Sequence, residues 1–146
     1  MKDIMLKITG RTLYAAPKVD NAPNYEDEKI EFITSGTMRS RGGITRISYD
    51  ETELSGMEGC KTDITISGDR LKMQRTGKDL NGGVVMEFEE GKRYEGKYET
   101  PMGNLVLEIL TNKIDMNDKK VSIDYSLSLQ GLMESRNKLD IEVIEQ

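Results

Sequence analysis

Apolar and polar residues alternate along most of this 146-residue chain, and turn-forming residues interrupt the alternation at short intervals. A period of two places successive side chains on opposite faces of a β-strand. Pairs such as Gly42-Gly43 and Asn81-Gly82 mark the turns. The pattern predicts about ten short antiparallel strands, each with one face toward water, and it excludes a parallel α/β sheet.

Two charged residues continue stripes that are otherwise apolar. Glu51 follows Tyr49 on one strand, and Arg75 follows Met73 on another. A carboxylate and a guanidinium at core-facing positions are costly unless they pair or face a wet cavity. A small closed barrel offers such an interior and also removes unpaired strand edges. We therefore predict an all-β fold with a single domain over residues 1–146, an antiparallel closed β-barrel of about eight to ten strands.

Other polar side chains share this inward parity toward the ends of neighbouring strands. The candidate ligand-binding residues are Tyr49, Glu51, Arg75, Tyr98, Thr100, Thr111 and Tyr125. The planar fork of an arginine suits an acidic ligand, and a tyrosine combines an apolar ring with a hydroxyl. Two alternatives stay open: a structural ion pair between Glu51 and Arg75 that sets strand register, and tyrosines that only fill the barrel.

The composition excludes several kinds of chemistry. The chain has no histidine and one cysteine, Cys60, so it lacks Ser-His and Cys-His nucleophile pairs and the usual zinc ligand sets. We assign no catalytic residue, metal or cofactor. The lone cysteine, with no signal-like or membrane-spanning apolar run, indicates the cytoplasm. The net charge of −5 argues against nucleic acid and anionic membranes as partners.

Three functions are compatible with this pattern. The favoured hypothesis is non-enzymatic binding of a small, partly apolar, acidic molecule inside the barrel. The first alternative is an enzyme in which Glu51 is the general base and Arg75 an electrostatic clamp. The second is a structural or interaction module with a filled barrel. The pattern does not predict an oligomeric state.

Three segments depart from plain alternation. Residues 15–28 contain two of the three prolines and are predicted to be a loop, whose use as a lid is left open. Residues 132–138 are predicted to be a loop entering the last strand, with a short helix as the alternative. Arg39, Arg41 and Arg46 form a basic group without an aromatic run for stacking bases, typical of a solvated hairpin.

The chain contains the distinctive blocks Ile47–Met57, Arg75–Gly77, Phe88–Gly91, Tyr98–Gly103 and Ile123–Tyr125. Together these blocks resemble the YwiB-like family of small bacterial proteins. The pattern Tyr-x-Glu-x-x-x-x-Gly-Met followed by Thr-Pro-x-Gly is fairly specific in combination. The resemblance implies a calycin-like barrel, related in shape to lipocalins and avidin. It implies no activity, ligand or catalytic residue.

Overall fold

The computed structural model describes residues 2–15, 25–51, 59–77, 80–100, 103–129 and 133–145. Within strands, the side chains of residues 14–15, 25–27, 80–83, 98–100, 133 and 145 lie outside this description. The strands in the described part are β1 (Lys2–Ala15), β2 (Tyr25–Arg41), β3 (Ile44–Asp50), β4 (Lys61–Ser67), β5 (Arg70–Gly77), β6 (Leu80–Glu89), β7 (Arg93–Thr100), β8 (Gly103–Met116), β9 (Lys120–Leu129) and β10 (Met133–Glu145).

All of these strands belong to one antiparallel sheet in the order β6-β5-β4-β3-β2-β1-β10-β9-β8-β7. Neighbours in the chain pair with each other except β6 and β7, which are the two edges of the sheet, and β10 returns to pair with β1. The sheet curls until its edge strands β6 and β7, which follow each other in the chain, pack together. The predicted all-β antiparallel barrel is confirmed, and it is nearly closed.

The seam between β6 and β7 is held by side chains and turn bonds. Within the described ranges no ladder joins these two strands. The Phe88 ring of β6 packs edge-on against Tyr125 of β9, with ring centroids 4.9 Å apart and planes at 65°. The Gly91 N–H donates to the Thr111 carbonyl at 2.8 Å, and the Thr111 N–H donates to the Lys92 carbonyl at 3.2 Å. The turn after β6 is thereby fixed to β8.

The inner face of the sheet is filled mainly by apolar side chains. Those at most 1% exposed are Leu6, Ile64, Leu71, Met73, Phe88, Ile109 and Ile123. Each such side chain contributes about 1.5–3 kcal/mol when it is withdrawn from water. Gly36 allows β2 and β3 to approach closely, because a Cβ at this position would lie 2.5 Å from the Ser48 carbonyl oxygen.

The loop predicted at residues 132–138 is wrong from residue 133 onward, because β10 begins at Met133. Ser135 and Asn137 occupy inward positions there and are buried. The Asn137 side chain accepts a hydrogen bond from Thr12 Oγ1 at 2.9 Å and donates one to Ser135 Oγ at 3.0 Å. At the start of β10 the inward residues are polar and form hydrogen bonds with each other, so the apolar alternation that identifies a strand is missing there.

The loop predicted at residues 15–28 is shorter in the structure. β1 continues to Ala15 and β2 begins at Tyr25, and these two residues pair with each other. Residues 16–24 lie outside the described residues, so a lid there stays a prediction. The strand pairing of residues 25–28 was not predicted from the sequence, because Glu26-Asp27-Glu28 has no alternation of apolar and polar residues.

Candidate functional site

Glu51 is held at the point where β3 ends. Its backbone N–H donates to the Cys60 carbonyl at 2.9 Å, so the chain stays beside β4 for one residue beyond the strand. The residue is buried. Its carboxylate oxygen Oε1 accepts a hydrogen bond from Thr62 Oγ1 at 2.6 Å. Continued pairing keeps the period of two, and this turns the carboxylate inward behind Tyr49.

Arg75 reaches the same carboxylate from β5. Thr62 of β4 pairs with Tyr49 on one side and with Arg75 on the other, so these residues form one row across the inner face. Arg75 Nε lies 3.5 Å from Glu51 Oε1, and 24% of the Arg75 side chain is exposed against 2% for Glu51. The distance is that of an ion pair, but the geometry is not that of a hydrogen bond. The predicted proximity of Glu51 and Arg75 is confirmed.

Tyr49 completes this cluster. Its side chain is buried, and burial raises the pKa of the Tyr49 hydroxyl above its ordinary value. The neighbouring Glu51 carboxylate raises this pKa further, because it opposes a second negative charge, while Arg75 acts in the opposite direction. Tyr49 therefore stays protonated at physiological pH and can serve as a hydrogen-bond donor.

This raised pKa predicts a loss of stability at alkaline pH. The Tyr49 hydroxyl has a higher pKa in the folded than in the unfolded protein, where it is about 10. Its contribution to stability is therefore fully present below about pH 10 and is lost as pH rises beyond that value toward the folded pKa. Denaturant unfolding can be measured from about pH 8 to about pH 11, around the pKa of the unfolded protein. Over this range the free energy of unfolding should decline less for Tyr49→Phe than for the unsubstituted protein. Equal declines would contradict the assignment.

Tyr125 and Thr111 lie on the inner face of β9 and β8 and pair with each other in the ladder. Burial raises the pKa of the Tyr125 hydroxyl, and the positive charge of Arg75 lowers it. Thr111 is buried as well. The structure thus brings five of the seven predicted residues into the barrel interior.

Two buried atoms in this interior have open hydrogen-bonding positions. Among the described residues, Arg75 Nε and Thr111 Oγ1 are buried side-chain polar atoms without a hydrogen-bond partner. Both residues adjoin a register shift, between Arg75 and Gly77 in the β5–β6 ladder and between Thr111 and Lys113 in the β8–β9 ladder. Bulges of this kind redirect side chains and are common beside functional sites. An unpaired buried polar atom costs about 1–3 kcal/mol, so both positions favour an added partner.

Two predicted site residues lie outside the described side chains, and two buried polar residues were not predicted. Tyr98 and Thr100 lie on β7, but their side chains are outside the described residues, and their role stays a prediction. Thr62 was absent from the candidate residues although its inward parity is readable from Ile64, two positions away. Asn137 was also missed, because it lies in the segment predicted to be a loop, although its inward parity is readable from Leu139, two positions away.

Four surface grooves are lined by described residues, with volumes of about 770, 250, 410 and 490 Å³. The groove of about 490 Å³ reaches Tyr49 beside Gly36. None of these four grooves is lined by Glu51, Arg75 or Thr111. Any ligand at Arg75 would therefore occupy a separate position on the inner face of the sheet.

The described residues contain no group of three Cys, Asp or Glu side chains arranged to hold a metal ion. No helix long and apolar enough to cross a bilayer occurs in the part of the chain that the structure describes.

The chain is similar to a protein family and to a solved structure. Residues 18–141 match the family described as a domain of unknown function, DUF1934. The crystal structure of the ywiB protein from Bacillus subtilis superposes with a TM-score of 0.65 at 20% sequence identity, covering 97% of this chain and 92% of that chain. No curated protein matches the chain. The predicted resemblance to the YwiB-like family is confirmed, and the chain belongs to the DUF1934 family.

Proposed function

We propose that this protein binds a small, partly apolar, acidic molecule inside its barrel and does so without catalysis. The observation that supports this most directly is the open N–H of Arg75, which is buried beside a carboxylate already engaged by Thr62. A guanidinium with an unused donor is a strong point of attachment for a carboxylate or phosphate oxygen.

The surroundings of Arg75 suit a ligand with both polar and apolar parts. Burial raises the pKa of the Tyr125 hydroxyl and the Arg75 charge lowers it, and the Tyr125 ring is in edge-to-face contact with Phe88 further along the interior. Thr111 Oγ1, next to Tyr125 across the ladder, is a second open hydrogen-bonding position. An acidic group at Arg75, an apolar body against the rings and a polar group near Thr111 would satisfy all three features. The partly exposed Arg75 side chain offers an approach from solvent.

A binding role fits Glu51 better than a catalytic one. A general base must take up and release a proton during each turnover. The Glu51 carboxylate already accepts a hydrogen bond from Thr62 and lies 3.5 Å from Arg75 Nε, so both contacts engage it within the protein. Such a carboxylate is well suited to fixing the position of Arg75 for a ligand.

The proposal extends to the class of barrel and its setting. We infer a calycin-like, lipocalin-like barrel, because a nearly closed antiparallel barrel encloses the polar cluster. A bacterial cytoplasm is the inferred setting. It is supported by a single cysteine, Cys60, which cannot form an intrachain disulfide, and by the likeness to a Bacillus subtilis protein.

The test is thermal unfolding with a panel of aliphatic and aromatic carboxylic acids. At least one acid should raise the midpoint in a saturable way, because a ligand that binds only the folded state stabilises it. Arg75→Gln should weaken that acid roughly tenfold or more, as expected for a lost charge-assisted hydrogen bond. Arg70→Gln is the matched control, since Arg70 lies on the same strand but is exposed. A panel without any effect, or unchanged binding by Arg75→Gln, would overturn the proposal.

A second candidate, a structural or interaction module, is favoured by the packed inner face. Apolar side chains from most strands fill it, and the four grooves of the described residues are not lined by Arg75. In that case the double variant Glu51→Leu/Arg75→Met should keep or raise stability, because replacing both partners of a buried ion pair by apolar residues of similar size is often neutral or stabilising. A double variant as stable as the original protein, together with an original protein that does not respond to the acid panel, would support this candidate.

A further inference from the structure

Three arginines lie together on the outer face of the β2–β3 hairpin. Arg39 and Arg46 are directly opposite each other in the ladder, and Arg41 lies two rows further toward the turn, opposite Ile44. All three are exposed. Their strands turn Met38 and Ile47 to the inner side, so the arginine side chains share the outer side. We call Arg39, Arg41 and Arg46 the arginine patch.

The patch is built on a rigid support. Gly42 and Gly43 form a two-residue turn with φ of 60° and 81°, the signs required by a type I′ hairpin. On the opposite face, the hydroxyls of Ser40 and Thr45 are hydrogen-bonded to each other at 3.0 Å. β4 pairs with β3 along its whole length and supports the hairpin from the side. The spacing of the three arginine backbones is therefore fixed before any ligand arrives.

No carboxylate neutralises the patch within the described part of the chain. Ion pairs there join other residues, and the groove of about 250 Å³ at the patch is lined by the three arginines and Ile44 alone. Asp63, diagonal to Arg46, accepts a hydrogen bond from Ser48. Like charges directly opposite in an antiparallel pair destabilise it. A chain with a net charge of −5 thus maintains an unfavourable cluster of positive charge.

We propose that the arginine patch binds a small soluble molecule with two or more phosphate groups. Guanidinium groups pair with phosphate oxygens in a bidentate way, and three cations around one groove match an anion of multiple charge. No aromatic side chain lines the groove. The ligand is therefore recognised by its phosphates and not by stacking of a base. This site lies on the outer face and is independent of the proposed function at Arg75.

Calorimetric titration with inorganic pyrophosphate tests this proposal. We expect saturable binding that weakens with ionic strength, because exposed charges are screened by salt. The triple variant Arg39→Gln/Arg41→Gln/Arg46→Gln should weaken binding by roughly tenfold or more. The matched control is Lys7→Gln/Lys29→Gln/Lys113→Gln, which changes the net charge equally but removes lysines that already have carboxylate partners. The control should bind pyrophosphate as the unsubstituted protein does.

Stability provides a second readout. Arg46→Thr removes one of the two opposed charges and places a good strand former at an exposed position of β3. The melting temperature of this variant should therefore rise, while its binding of pyrophosphate weakens. Loss of binding together with increased stability distinguishes a ligand site from a structural role. Equal weakening by the arginine and lysine triples would show non-specific charge attraction and overturn the proposal. No binding of pyrophosphate, or binding only to vesicles carrying phosphorylated lipids, would overturn it as well.

Discussion

Phe88→Ala is expected to lower the free energy of unfolding by about 3–5 kcal/mol, the range for truncating a buried aromatic ring. Phe88 is 1% exposed and lies on the edge strand β6, where it packs against Tyr125 of β9. The seam lacks ladder hydrogen bonds within the described ranges, so this ring contact, together with the turn hydrogen bonds to Thr111, connects β6 to the other end of the sheet. Urea unfolding followed by circular dichroism measures the effect.

A double-mutant cycle shows whether the ring contact itself matters. Phe88→Ala and Tyr125→Leu should couple by about 0.5–1.5 kcal/mol, as edge-to-face aromatic pairs do. The control cycle combines Tyr125→Leu with Ile4→Ala. Tyr125 lies in the same row of the sheet as Thr12 of β1, because both pair with Asn137. Ile4 is also buried but lies eight residues away from Thr12 along β1, so it is far from Tyr125. Effects at such separated positions should add. A coupling near zero for Phe88 and Tyr125 would mean that the seam is held by other contacts.

Glu51→Ala is expected to lower the free energy of unfolding by about 3 kcal/mol. Removing one partner of a buried ion pair costs about 3–5 kcal/mol, because it leaves an uncompensated charge. The lower end applies here, since 24% of the Arg75 side chain is exposed and water compensates part of the charge. Thr62 also loses the acceptor of its 2.6 Å hydrogen bond. Chemical denaturation at neutral pH measures the difference.

The source of this cost can be separated by further variants. Adding Arg75→Met to Glu51→Ala should recover part of the lost stability, since no unpaired cation remains. Thr62→Val removes only the hydrogen bond to the carboxylate and should cost about 1 kcal/mol. Glu31→Ala is the exposed control, because its pairs with Lys7 and Lys29 lie at the surface and contribute little. If Arg75→Met made Glu51→Ala worse, the buried pair would not be the reason for the loss.

The barrel could be predicted from the chain because its core strands follow a strict period of two. Ile64 and Met73 pair in the ladder, and both were readable as inward residues from their neighbours. The beginning of strand β10 could not be predicted, because its inward positions are occupied by Ser135 and Asn137. Their burial depends on hydrogen bonds to each other and to Thr12, which is 125 residues from Asn137 in the chain. Local pattern contains no information about such a partner.

The candidate site was predicted in part for the same reason. Glu51 and Arg75 were recognisable as charges on inward positions, and their proximity follows from Thr62, which lies between them in adjacent strands. The lack of a partner for Arg75 Nε was not predictable, since it depends on hydrogen-bond angles and on the bulge after Arg75. The opposition of Arg39 and Arg46 was likewise hidden until the two-residue turn set the hairpin register.

Side-chain parity is the property that the sequence by itself determined. A strand has a period of two, so each apolar stripe assigns its neighbours to the inner or outer face, and an absence of histidine removes whole classes of chemistry whatever the fold. The tertiary structure alone decided which inward residues meet. Arg75 acts on Tyr125 from a strand on the far side of the seam, and both Arg75 and Thr111 stand at register shifts. Distance across a barrel depends on curvature and bulges, which act through the whole sheet and leave no local pattern.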